Sequence, residues 1–124
     1  MNHRPLTYLT CPYSHPNPTM REHRFTEATW AAAWLTEKKG WTVFSPITHS
    51  HPLHKIAGLS GSWDFWCKID TDYLDCSCRI VNLELPGWKE STGVTAENIL
   101  AKERGLEVWS MRLRSDGTYL LKQL

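Results

Sequence analysis

Strand-like and helix-like segments alternate along almost the whole of this 124-residue chain, and that alternation constrains the fold more than any other feature. "RPLTYLT" is a short β-prone run that ends in the breaker-rich, polar "CPYSHPNP". From Thr19 to Lys39 the period changes: Phe25, Ala28, Trp30, Ala32, Trp34 and Leu35 recur at helical spacing, and Gly40 stands where a C-cap belongs. "WTVFSPI" reads as a second strand closed by Pro46, and "THSHPLHKIAGLSG" as a loop too long for connection alone. "SWDFWCKIDTDYLDC" is a second helix, with Ser62 as its N-cap and Trp63, Trp66, Ile69, Tyr73 and Leu74 at helical period. "RIVNLEL" is a buried third strand, followed by a third helix that starts at "STG" and stops at Gly105. "LEVWSMRL" is a fourth strand, and "TYLLKQL", after the turn signal "SDG", pairs at an edge.

Such alternation predicts an α/β domain over residues 1–124: a three-layer, doubly wound, mainly parallel sheet of about five strands, flavodoxin- or Rossmann-like, with helices on both faces. Ligands bind such sheets beyond the carboxyl ends of the strands, at the switch in strand order. The two proline-rich loops and the "GWKESTG" turn all follow strands, so they are expected to share that rim.

Charge and cysteine usage exclude several functions. Fourteen basic residues against thirteen acidic ones leave a net charge of +1, without the electropositive stripe that a nucleic-acid partner requires. No window approaches the roughly 18 apolar residues of a membrane span, and "MNHRPLTYLT" has no extended apolar segment, so a cytoplasmic protein without a membrane partner is expected. The four cysteines, Cys11, Cys67, Cys76 and Cys78, match no paired framework and read as reduced. His49, His51 and His54 together with the C-x-C of Cys76 and Cys78 raise the question of zinc. Zinc pairs are usually spaced like C-x2-C, so the bland reading is loop histidines and packed cysteines, and no metal is expected.

Several residues are candidates for chemistry, each with a plain alternative. Tyr8 lies in the first strand, where a tyrosine is commonly core, and Asp70 and Asp72 lie on the second helix, where carboxylates are commonly solvated. Ser91 or Thr92 caps the third helix. Glu97 stands three residues after Val94 and four before Ala101, which sets a carboxylate beside an apolar stripe. His49 and His51 sit at the rim, where imidazoles contact a base or a sugar hydroxyl or simply add loop polarity. Trp63, Trp66 and Trp88 suit the core or a subunit contact, with Trp88 beside the expected pocket.

The order of "YL" at the first strand's end, "DTDYL" on a helix and "S-x-G-x-x-x-E" after the third strand resembles the nucleoside 2-deoxyribosyltransferase superfamily, which includes the deoxynucleoside 5′-monophosphate N-glycosidases. "YLTCPYSHP", "GWTVFSPITHSHPL" and "LPGWKESTGVTAE" are especially similar to a branch of small bacterial and phage proteins, and the resemblance runs from Tyr8 to about Trp109. It implies a small-molecule nucleoside or nucleotide substrate, no cofactor, and a homodimer or homotetramer, for which Trp30 and Trp34 offer one helix face. It further implies that Glu97 is a nucleophile towards C1′ of a 2-deoxyribosyl group, that Asp70 handles a proton on the departing base, and that Tyr8 orients the glutamate. Ser91, with Gly93 beside it, matches a substrate-contacting position at a helix start suited to phosphate. Where phosphate-preferring relatives carry a serine and an arginine after the first strand, this chain has "CPYSHP", so Ser14, His15, Arg21 or Arg24 takes their place or the substrate is a nucleoside. Two other readings stand beside this one: a non-catalytic module that senses a nucleotide or sugar-nucleotide, and a metal-dependent hydrolase built on His49, His51 and His54.

Overall fold

The computed structural model describes residues 3–124. Five strands form one sheet in the order β2-β1-β3-β4-β5, where β1 is Leu6–Thr10, β2 Thr42–Phe44, β3 Ser77–Leu83, β4 Glu107–Leu113 and β5 Tyr119–Gln123. The first four run parallel, and β5 pairs antiparallel with β4 across the "SDG" turn. Four helices connect them: α1 (Pro18–Lys39), α2 (Pro46–Lys55), α3 (Trp63–Asp75) and α4 (Thr92–Glu103). The arrangement is α/β and consistent with a Rossmann-like fold.

Local chemistry accounts for the helix bounds. Asn17 caps α1 by accepting from the Thr19 N–H at 2.9 Å, Pro18 occupies the first turn where no N–H is needed, and Gly40 ends the helix at φ 67°. Only glycine adopts that left-handed turn without strain. Ser62 caps α3 and Ser91 caps α4, each through its side-chain oxygen. The segment expected to be a loop after the second strand is a helix instead. Ser45 accepts from the Thr48 N–H at 3.2 Å and Pro46 fills the first turn, so a proline that reads as a strand breaker is a helix start. Pro52 inside α2 removes one further backbone donor, and Ile47 and His51 bury the helix despite that loss.

Alternation along the strands divides the interior in two. Leu9, Val81 and Met111 pack with Ala28, Ala31 and Leu35 of α1 and Ile47 of α2, whereas Tyr8 and Ile80 pack with Leu74 of α3 and Ala101 of α4. Neighbours along a strand point to opposite faces, so α3 and α4 share the face to which Tyr8 points. From β1 the chain leaves to β2 on one side and later returns to β3 on the other, which puts the switch in strand order between β1 and β3. Among the described residues no helix is long and apolar enough to cross a membrane, and the four cysteines are unpaired. Trp34, expected at a subunit contact, packs on Tyr119 of its own chain with ring centroids 5.4 Å apart, and Trp30 is 67% exposed.

Candidate active site

Two helices that pack on the same face each place a carboxylate in the stripe they bury. On α3 the buried residues are Trp66, Asp70 and Leu74, spaced by four, and on α4 they are Val94, Glu97 and Ala101. A helix that buries these positions must take the carboxylates with it. Glu97 is 4% exposed and Asp70 5%. Both line a cavity of about 630 Å³ at the carboxyl end of β1, together with Thr10 of that strand, Cys11, Tyr13 and Ser14 from the segment after it, and Arg24 from α1. Trp63, Trp66, Ser91, Thr92 and Gly93 line it from α3 and the start of α4. The position is the switch point that governs ligand binding in open α/β sheets.

Glu97 is held from the sheet. The Tyr8 hydroxyl donates a short hydrogen bond to Oε2, and Thr10 Oγ1 donates to Oε1 at 2.7 Å. Two residues apart on β1, these donors point to one face and grip one carboxylate oxygen each. Tyr8 is fully buried, so its hydroxyl needs that partner. Burial pushes the Glu97 carboxyl up to about 8, against the pull of the Tyr8 and Thr10 hydrogen bonds and with a further push from Asp70. Burial alone raises Asp70 to about 7, and its Oδ1 is buried without a hydrogen-bond partner. The Tyr8 hydroxyl is held well above its ordinary value, by burial first and then by the charges of Glu97 and Asp70. Burial likewise raises the Cys11 thiol, which keeps it protonated and a poor nucleophile.

The cavity lining also includes one arginine. Arg24 is 9% exposed, and its guanidinium donates to the Ser14 carbonyl at 2.9 Å and the Pro86 carbonyl at 3.2 Å. Among the described residues no carboxylate lies within ion-pairing distance of it. Arg24 thus ties the loop after β1 to the turn before α4 while keeping its charge uncompensated. Gly87 makes room for it: the residue has φ 92°, and a Cβ there would stand 3.0 Å from Nη2.

The remaining residues singled out in the sequence lie elsewhere. His15 does not line the cavity, and its ring accepts from the Asn17 N–H at 3.0 Å. His49 packs between Phe44, Trp66 and Tyr73, and His51 is clasped between Tyr13 and Glu22. His54 bonds the Leu59 carbonyl at 2.6 Å. The three rings of α2 therefore face different partners, and among the described residues no group of three or more His, Cys, Asp or Glu side chains is gathered to hold a metal ion. Trp88 lines a separate groove with Lys89, Arg112 and Lys122. Asp72 is exposed and pairs with Lys68 at 4.0 Å. Trp66 is buried in the core as its pattern suggests and also lines the cavity, and Trp63, half-buried, lines it beside it. Thr10 was not distinguishable from its neighbours except by the strand period, which sets it on the face of Tyr8.

No curated protein matches the chain significantly. A family described as a domain of unknown function (DUF1937) matches residues 5–113, nearly the whole domain including every cavity residue named above, and the protein belongs to that family.

Proposed function

We propose that the protein breaks the N-glycosidic bond of a 2′-deoxynucleoside or its 5′-monophosphate through a glycosyl ester on Glu97, on a three-layer, doubly wound scaffold. The observation that carries the reading is the pair of buried carboxyls on one cavity wall, Glu97 and Asp70, pushed up to about 8 and about 7. Attack needs Glu97 ionised and donation needs Asp70 protonated; with Glu97 the higher of the two, that arrangement is the minor form of the singly protonated pair, and it is reached because both groups titrate near neutrality. Glu97 Oε attacks C1′, the C1′–N bond breaks with its electron pair leaving on the base, and Asp70 delivers a proton to that base. Water or a second base then attacks C1′ and releases the Glu97 carboxylate. When water is the acceptor, Asp70 takes up its proton, which restores the starting state. The donors from Tyr8 and Thr10 fix the direction of the carboxylate and favour its ionised form.

Arg24 and the start of α4 favour the 5′-monophosphate over the nucleoside. A buried guanidinium bonded only to carbonyls, in the same cavity as a helix N-terminus capped by Ser91, suits a phosphate. Trp63 and Trp66 supply aromatic surface for the base. Exposed Trp30 is the surface that a homo-oligomer would use. The test is chromatographic detection of free base after incubation with deoxynucleosides and their 5′-monophosphates, beside Glu97→Ala. Release that is lost in the variant supports the reading, and release that persists in it removes Glu97 from the chemistry.

A further inference from the structure

One hydrogen-bonded chain at the cavity wall has no part in the scheme above. Tyr13 lines the cavity, and its hydroxyl oxygen lies 2.6 Å from Nδ1 of His51. On the far side of the ring, Nε2 lies 2.8 Å from Oε2 of Glu22, and Lys55 donates to the same oxygen at 3.0 Å. His51 is 5% exposed and stacks on Phe25 with centroids 4.4 Å apart, so the ring is locked in its slot.

The polarity of this chain follows from its outer end. Hydrogen bonds from Lys55 and His51 hold the Glu22 carboxyl below its ordinary range, so Glu22 is a carboxylate that only accepts. His51 Nε2 must therefore carry a proton, and in the neutral ring Nδ1 is then the acceptor. Tyr13 commits its single hydrogen to Nδ1. Its oxygen, which also faces the Arg21 guanidinium, has only lone pairs to offer a ligand that reaches it. Burial raises the Tyr13 hydroxyl on balance, against the pull of Arg21, so the phenol keeps its hydrogen for His51.

We infer that Tyr13 is a specificity-determining contact whose oxygen accepts a hydrogen bond from a hydroxyl of the bound sugar, with His51 and Glu22 as positioning residues that fix its direction and polarity. The sugar's identity rests on the glycosyl-transfer reading, but the polarity of Tyr13 does not. A 2′-deoxynucleoside offers two such hydroxyls, at 3′ and 5′, and its 5′-monophosphate offers only the 3′. A phosphate oxygen, itself an acceptor, finds no partner in Tyr13.

Two measurements test the inference. The first compares wild type and Tyr13→Phe on the substrate that wild type cleaves best, on its 3′-deoxy counterpart and, for a nucleoside, on its 5′-deoxy counterpart. In wild type, removal of the recognised hydroxyl should lower kcat/KM on the order of 10- to 100-fold, because the tyrosine oxygen loses its partner. Tyr13→Phe should lose a similar factor on the parent and lose no more on that one analogue, which identifies the hydroxyl. Equal losses in Tyr13→Phe on every substrate would overturn the contact. The second is the tautomer of His51 by 15N NMR at neutral pH, expected as Nε2–H. A proton on Nδ1 with cleavage intact would overturn the assigned polarity and leave the glycosyl-transfer reading standing. If wild type releases no base from any substrate, that reading and the sugar assignment fall together, while the tautomer still decides the polarity of Tyr13.

Discussion

Tyr8 and Glu97 are joined at the centre of the domain: a fully buried hydroxyl on β1 donates to one oxygen of a buried carboxylate on α4, and Thr10 donates to the other at 2.7 Å. The bond couples a strand to a helix 89 residues later in the chain. Hydrogen bonds to the ionised form stabilise that form, so Tyr8→Phe should raise the Glu97 carboxyl further above about 8. At neutral pH the variant should lose on the order of 10- to 100-fold in kcat/KM, and the alkaline limb of its pH profile should move to higher pH, because with Glu97 above Asp70 the upper apparent value follows Glu97. A reduced rate with an unmoved alkaline limb would deny Tyr8 this role.

The two carboxyls titrate as a pair. With Glu97 raised to about 8 and Asp70 to about 7, kcat/KM should follow a bell with its maximum between those values. Asp70→Asn should remove the limb that requires a protonated acid. It should also slow bases that leave poorly more than those that leave well. An equal effect on all bases would argue against proton donation by Asp70.

Stability carries the same signature. The folded pKa of Asp70, about 7, lies above its ordinary value of 3.8, so the folded state binds more protons than the unfolded one between those limits. Its favourable contribution is complete below 3.8 and is lost progressively as pH rises to about 7. Glu97 repeats the pattern from 4.5 to about 8. Asp70→Asn should therefore stabilise the protein at pH 8 by on the order of 1–3 kcal/mol relative to its effect at pH 4. Urea unfolding at the two pH values measures the difference.

Ser91 has a structural and a proposed binding duty that separate experimentally. It caps α4 by accepting from the Val94 N–H at 3.2 Å, so Ser91→Ala should cost about 1 kcal/mol in unfolding free energy. If the start of α4 reads a phosphate, the variant should also weaken 5′-monophosphates more than nucleosides. Arg24→Lys, which keeps the charge and loses the fork between the Ser14 and Pro86 carbonyls, should show the same preference more strongly.

Gly87 tests whether Arg24 is held by the turn. A Cβ at this position meets Nη2 at 3.0 Å on a backbone at φ 92°, so Gly87→Ala should destabilise the domain by roughly 1–3 kcal/mol. It should also depress turnover of monophosphates. Unchanged stability would show that the turn relaxes without disturbing the arginine.

Much of this domain was legible in its sequence because its helices obey the local rules. Ser62, Ser91 and Gly40 act as caps where pattern and composition suggest helix ends, while Asn17, the cap of α1, read only as part of the polar loop before it. α2 escaped because its content is proline, histidine and threonine, and the decisive signal was the pair Ser45–Pro46 at its start. The position of Glu97 followed from helical spacing and family resemblance together, whereas Asp70 read from spacing as a solvated helix carboxylate and was marked by the resemblance alone, although it too stands in a stripe that its helix buries. Thr10 and the Tyr13–His51–Glu22 chain were not legible, because they depend on which loop and helix faces meet across the sheet's end. Spacing along one element cannot convey that meeting.

The central claim is a covalent bond between Glu97 and a deoxyribosyl carbon. Its most direct test is rapid acid quenching of the protein during turnover of the best substrate, followed by mass spectrometry of the intact chain and of its peptides. The account predicts a deoxyribosyl or deoxyribosyl-phosphate adduct on the peptide that contains Glu97, absent from Glu97→Ala. Base release with an unmodified Glu97, or an adduct on another residue, would contradict it.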